Sequence, residues 1–364
     1  MSSAVLFVVG SGVQLDSARR VVTHLVRPAQ ALNIWDGSVG PLAEVKLPGH
    51  MAPVTVDRLS SVSKATAAWA KANPGGVLVT PQDVGLVYRR AIAAARRKRI
   101  KIAFLPDGAV SGGKVTGRSM LGGLVPVADA MLRGVGFVAG RHGEMGACRP
   151  ELALSWGPAW SPVFADRGAE LIIESGNPRS DDLANIEPPH AGRILLCSQP
   201  MDHAAIGGPV AATKWYEFVE RIALSAPEGD FAVRLHPAEA DAFDALPIGA
   251  ATKKHITAGT ELSEDIAWSG ALVSWASTTM MEAAGAGRAV VSLAVNDAAA
   301  EMARGYFFQR DPRVVSALTD AVPDFAALSA LVVAARASQE GLADDYLVNI
   351  GSAAKTAAAA LDEL

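Results

Sequence analysis

The sequence predicts an α/β protein made of two doubly wound, parallel-sheet domains. Three observations predict it. Short apolar, β-branched runs alternate with helix-like runs along most of the chain, which is the rhythm of a parallel sheet covered by helices. The chain has 364 residues, too many for one ordinary core. A stretch with two prolines, "IEPPHAG" at 186–192, separates two series of such runs. The predicted domains are therefore 1–188 and 189–364.

In the first series "AVLFVVG" (4–10) leads through "SGVQLD" into the helix-like "SARRVVTHLV". "ALNIWDG" (31–37) is a second strand that ends in a turn. "GGVLVTP" (75–81) is a third, followed by the amphipathic "DVGLVYRRAIAAARRKR". "KIAFLPDG" (101–108), "GVGFVAG" (134–140) and "LALSWG" (152–157) come next, and "AELIIESGNPR" (169–179) closes the half. The second series opens on "RILLCSQP" (193–200) and a helix at about 213–226. "FAVRLHP" (231–237), "HITAG" (255–259), a short helix in "ELSEDIAWSG" and "ALVSWAS" (271–277) follow. A helix from about Thr279 then precedes "AVVSLAV" (289–295), and the chain from "DFAALSALVVAARASQ" onward reads as helices. Two such halves place a cleft between them, and sheets of this kind bind ligands at the carboxyl ends of their strands.

Half of the residues are hydrophobic, 19% are charged, and the formal net charge is -4. That balance gives no overall basic face and argues against a nucleic-acid partner. The one dense basic run, "RRKR" at 96–99, reads as the solvated end of a helix. Cys148 and Cys197 show no pairing pattern, which predicts free, buried thiols in a reducing compartment. The apolar start "MSSAVLFVVG" is too short for a signal peptide, and no run is long enough to span a membrane. The expectation is a cytoplasmic protein with at most peripheral membrane contact. The seven histidines are scattered, so no metal site is indicated. "GSG" at 10–12 lacks the third glycine of a dinucleotide fingerprint, and there is no P-loop and no G-x-S-x-G elbow.

Five places carry candidate chemistry. In "ALVSWASTTMMEAAGAG" a strand runs into Ser277, Thr278 and Thr279 at a helix start, where free N–H groups and hydroxyls suit a phosphate. Thr279 and Glu282 also have capping-box spacing, which accounts for one hydroxyl but not for three in a row. In "RLHP" a strand ends at His236-Pro237. An imidazole N–H at that edge suits a phosphate, and proline alone explains the stop. Two strands ending side by side would bring His236 to the Ser277 turn. Arg234 shares a face with His236 and has Glu239 or Glu282 as alternative partners. Asp107 ends a first-half strand, where a carboxylate can act as a general base; Pro-Asp-Gly is equally a turn. His142, in "GRHGE", is a catalytic candidate or an exposed loop histidine. In "ESGNPRSDDL" Ser180 or Asp181 reads as a helix cap, with Arg179 the member able to reach a ligand.

These motifs, in their order, resemble bacterial GT-B glycosyltransferases of surface-polysaccharide assembly: "HG" and "WGPA" in the first half, then "GNPRSDDL", "RLHP" and "STTMMEA". The set includes capsule, teichoic-acid and sialyltransferase-like enzymes. The resemblance implies two Rossmann-like domains facing a central cleft, with the acceptor on the first domain and the nucleotide sugar on the second. Sialyl- and polysialyltransferases carry acidic-Asp-Gly, His-Pro and Ser-Ser/Thr motifs, matched here by Asp107-Gly108, His236-Pro237 and Ser277-Thr278. By that resemblance Asp107 is the base, and His236, Ser277 and Thr278 hold the donor phosphate. Pro106 stands where that family has a second acidic residue. The expectation is a metal-independent transferase with no cofactor beyond its CMP-, CDP- or UDP-linked donor. Its acceptor would be a glycan or a lipid-linked hydroxyl. The alternatives are a UDP-N-acetylglucosamine 2-epimerase-like enzyme, which would require more acidic residues at the cleft, and a non-catalytic scaffold of the same fold.

Overall fold

A computed structural model describes residues 3–34, 51–56, 59–108, 131, 139, 145–202, 204–257 and 261–364. The chain divides into two compact units. The first comprises Met1–Asp181 with Leu347–Leu364, and the second comprises Asp182–Tyr346.

The first unit holds a seven-stranded sheet of β1 (Val5–Val9), β2 (Ala29–Ile34), β3 (Met51–Val56), β4 (Val77–Thr80), β5 (Lys101–Phe104), β6 (Leu152–Ser155) and β7 (Leu171–Glu174). Their order is β3-β2-β1-β4-β5-β6-β7, and every pair is parallel. A parallel sheet is covered on both faces, so its central strands need no polar alternation. All five residues of β1 are buried. Val5, Phe7 and Val9 pack in one cluster with Leu15, Ala18 and Val22 of the helix Gly12–Val22. The sequence pattern did not reveal β3. Pro53 interrupts it, and a proline in a strand is tolerated where no neighbour needs its N–H; β3 lies at the sheet edge. The helix Leu59–Ala72 was also missed, because its serine-rich first turn hides the periodicity.

The second unit holds β8 (Ile194–Cys197), β9 (Phe231–Arg234), β10 (Ala271–Ser274), β11 (Ala289–Ala294) and β12 (Val315–Leu318). They are ordered β12-β11-β10-β8-β9 and are again all parallel. Trp215, Phe218 and Ile222 of the helix Pro209–Ser225 belong to its core, with Leu328, Val332 and Ala335 of the helix Phe325–Ser338. The short edge strand β12 was not expected. The predicted strand at 255–259 is replaced by the end of the helix Ala250–His255 and a single bridge from Ile256 to Val233; residues 258–260 lie outside the described residues. Most of the predicted strand at 134–140 lies outside them as well.

The domain boundary departs from 1–188 and 189–364 in two ways. Residues 186–192 are bound into the second unit. The buried Arg288 guanidinium donates to the carbonyls of Glu187, Ile266, Ala267, Ser269 and Ala286. The chain end, by contrast, returns to the first unit. Asp181 accepts the first N–H groups of the helix Ala353–Glu363, from Ala353 at 2.8 Å and Ala354 at 3.0 Å, and so supplies a cap across the fold. Ala357, Ala358 and Leu361 of that helix join the β1 cluster. Gly176, at φ +83°, is required there, since a Cβ would collide with the Val348 carbonyl of the returning chain.

Candidate functional site

In each sheet the strand order reverses at one point, between β1 and β4 in the first unit and between β8 and β10 in the second. The carboxyl edge at such a point is where open α/β sheets form binding crevices.

At the edge of the second unit, β9 ends at Arg234 and His236 follows two residues later. The proline after it occupies the first position of the helix Pro237–Ala240, where its missing N–H costs nothing. His236 caps this helix: its Nδ1 accepts the backbone N–H of Ala238 at 3.2 Å. A ring nitrogen that accepts carries no proton, so the hydrogen resides on Nε2. His236 is exposed, and no described residue accepts from Nε2. Beneath it, Glu239 is 2% exposed. Its carboxylate accepts the His236 backbone N–H at 2.9 Å, the Ser198 hydroxyl at 2.9 Å and the Tyr216 hydroxyl at 2.5 Å. Trp215 Nε1 in turn donates to Ser198 Oγ at 2.9 Å. Burial, reinforced by the Glu239 carboxylate, holds the Tyr216 phenol well above its usual range. The capping box is therefore formed by His236 and Glu239, not by Thr279 and Glu282. Histidine is not an ordinary cap residue, so the H-P-x-E spacing carried no cap signal.

The strand β10 leads to the hydroxyl turn. Thr278 is the N-cap of the helix Thr279–Gly285 and its side chain makes no capping bond. Thr279 donates to Ser277 Oγ from its hydroxyl at 2.8 Å and from its N–H at 3.3 Å. The protons of the Ser277 and Thr278 hydroxyls are given to no described residue. Both residues are half-buried. Glu282 points inward at 3% exposure and takes no place on the surface of the turn. Beside Thr279 lies the buried Cys197, its thiol pushed up to about 12 mainly by burial. His236 and the Ser277 turn do share one edge, but β8 stands between their strands, so they are not adjacent. Arg234 pairs with Asp265 through its Nη1.

At the edge of the first unit, Asp107 follows β5, and the loop between them carries it back to the start of the helix Gly12–Val22. Gln14 Nε2 donates to Asp107 Oδ2 at 2.5 Å. Gln14 Oε1 accepts the Gly10 N–H at 2.7 Å and the Tyr88 hydroxyl at 2.9 Å. Two donors on Oε1 fix the amide orientation and present the N–H2 group to the carboxylate. Burial raises the Asp107 pKa, against the opposing pull of the Gln14 hydrogen bond and the Arg179 charge. A carboxylate so raised is a better base than an exposed one. Gln14 and Tyr88 were not singled out from sequence, since neither stands in a recognisable motif with Asp107. The same side chain explains why "GSG" is no dinucleotide turn: Gln14 occupies the Gly10 N–H, and Ser11 caps the helix itself. His142 lies outside the described residues.

Both cysteines are free and buried, and the "RRKR" run begins on the last residue of the helix Leu86–Arg96, with Arg97, Lys98 and Arg99 exposed. Among the described residues no three His, Cys, Asp or Glu side chains are grouped to hold a metal, and no helix is long and apolar enough to cross a membrane.

No protein-family model and no curated protein matches the chain. Solved structures do. A variant of the wall teichoic acid polymerase TagF matches at TM-score 0.62 and 12% identity, over all of this chain and 89% of that one; another TagF variant, soaked with CDPG, matches at 0.60. The glycosyltransferase SnogD from Streptomyces nogalater matches at 0.53 and 14%, over 99% of this chain and 100% of that one. The S. aureus MnaA-UDP co-structure matches at 0.51 and 11%, over 97% and 94%. The strand orders and these likenesses together establish the architecture: two Rossmann-like, doubly wound units of the GT-B fold.

Proposed function

We propose that this chain is a glycosyltransferase that takes a sugar from a nucleotide-activated donor. The observation that carries the reading is His236: its Nδ1 is held by the helix it caps, and its Nε2–H is left exposed at the carboxyl edge that also carries Ser277 and Thr278. Those groups are donors, and a nucleotide's phosphate oxygens need donors. The likeness of the fold to the glycosyltransferase SnogD supports sugar transfer, and the likeness to CDPG-soaked TagF and UDP-bound MnaA supports a CDP- or UDP-linked donor. Pro106, in place of a second acid, speaks against the sialyl-type variant.

In this reading the acceptor hydroxyl oxygen bonds to the anomeric carbon as the bond to the phosphate oxygen breaks. The electron pair leaves on the phosphate, where His236, Ser277 and Thr278 stabilise it. The hydroxyl proton passes to Asp107. One base and one phosphate site suit a single displacement with inversion. The acceptor is a hydroxyl of a surface glycan or its lipid-linked precursor. A second reading, conversion of a nucleotide sugar without an acceptor as in UDP-N-acetylglucosamine 2-epimerases, draws on the MnaA likeness and predicts turnover with donor alone.

The test is thermal unfolding of wild type and His236→Ala with CMP, CDP, UDP and GDP. A ligand of the folded state alone raises the melting temperature by mass action. One nucleotide is expected to stabilise wild type, and the variant to lose that response. If none of the four acts at millimolar concentration, the transferase reading fails and a scaffold role takes its place.

A further inference from the structure

Gln199 follows β8, the strand that lies between β9 and β10. The two residues after β8 are tied in opposite directions. Ser198 donates to Glu239 and so belongs to the network beneath His236. Gln199 Oε1 accepts the backbone N–H of Ala276 at 3.0 Å, immediately before Ser277. That bond decides the orientation of the carboxamide. An N–H donor can meet only the oxygen, so Nε2 carries its two hydrogens on the other side. No described residue accepts either of them, and Gln199 is half-buried rather than enclosed. Strand spacing puts the end of β8 about 4.8 Å from the ends of β9 and β10. Gln199 therefore follows the strand that lies between those leading to His236 and to the Ser277 turn, with its carboxamide oxygen on the Ser277 side, at the point where the strand order reverses.

We infer that the Gln199 N–H2 group binds the phosphate of the nucleotide donor, bridging the His236 and Ser277–Thr279 sides of the edge. This rests on the phosphate reading of that edge. It adds a residue from the loop between the two motifs and makes the site one continuous row of donors. A staple role alone would use Oε1 and leave Nε2 to water, and the two roles separate by charge.

Gln199→Glu keeps an oxygen for the Ala276 N–H and replaces the N–H2 group with an anionic oxygen. Calorimetry would compare wild type, Gln199→Glu and His236→Ala, using whichever of CDP or UDP stabilises wild type and the corresponding nucleoside, cytidine or uridine. The expected result is a Gln199→Glu protein that melts as wild type does without ligand. It binds the nucleotide at least about tenfold more weakly, as for loss of a hydrogen bond to a charged group, and binds the nucleoside unchanged. Nucleotide binding at wild-type strength in Gln199→Glu, with binding lost in His236→Ala, overturns the Gln199 assignment and leaves the phosphate site standing. Wild type that binds neither nucleotide removes the phosphate site, and this assignment with it. Should the glutamate variant not fold, Gln199→Met is expected to show the same phosphate-selective loss, and unchanged nucleotide affinity there overturns the proposal.

Discussion

The two carboxyl edges are built on the same plan and offer opposite chemistry. In the first unit the edge presents a carboxylate, Asp107, held by Gln14, and the N–H of the β1 turn is already satisfied within the chain. In the second unit the edge presents hydrogens: Nε2–H of His236 and the hydroxyls of Ser277 and Thr278. Strand order decides where a crevice forms, whereas a few side chains decide whether it attracts an anion or a proton. In Gly10-Ser11-Gly12 the Gly10 N–H is taken by Gln14 Oε1, and Ser11 Oγ takes the Gln14 N–H of the helix that follows. In the second unit the buried acceptor, Glu239, lies beneath the edge and leaves the outward donors unused.

If the edges have divided the work in this way, their variants separate. Asp107→Asn is expected to lower transfer about 10²–10⁴-fold, the usual contribution of general base catalysis, while leaving the nucleotide-induced rise in melting temperature intact. Paired turnover and thermal-shift measurements check this, and loss of nucleotide binding in Asp107→Asn would break the comparison. Glu239→Ala strips one acceptor from three donors, two of them buried, and should destabilise the protein by about 3 kcal/mol, read by urea unfolding. It should also abolish the nucleotide response where enough folded protein remains. Gln14→Leu removes a donor that holds the Asp107 pKa down against burial. The pKa then rises further, and the acid limb of the pH–rate profile moves to higher pH. An unmoved limb would mean that Asp107 is not the titrating base.

The smallest effect expected lies away from both edges and is a control. Glu220 accepts N–H groups from Ala251 and Thr252 and the Thr252 hydroxyl, at 3.0, 2.8 and 2.7 Å, and so caps the helix Ala250–His255. Burial alone would raise its pKa, but these bonds outweigh it and the native value is lowered from 4.5. A depressed carboxylate contributes its stability fully above the unfolded value and loses it as the pH falls through the native one. Glu220→Gln should therefore cost about 1 kcal/mol near neutral pH and progressively less below about pH 4.5. Nucleotide binding should not change.

Alternating apolar runs placed ten of the twelve strands among the described residues near where they lie, because a buried parallel strand is written as a short continuous hydrophobic stretch. The two that escaped, β3 and β12, are edge strands, where a proline or incomplete burial is permitted and the pattern fades. Local grammar also located His236, Ser277, Thr278 and Asp107, each at a strand end followed by a turn or cap residue. What those residues do with one another was not legible. That His236 exposes Nε2 depends on Ala238 and on a glutamate buried against Ser198 and Tyr216. The hold on the Asp107 carboxylate depends on an amide 93 residues away in sequence. The return of the last helix to the first unit depends on Asp181 and on the space that Gly176 leaves. Periodicity and turn chemistry act over a few neighbours and determined the two-sheet architecture and the candidate positions. Which hydrogens remain unused at each edge is set by partners brought together from distant segments, and only the tertiary structure decided it.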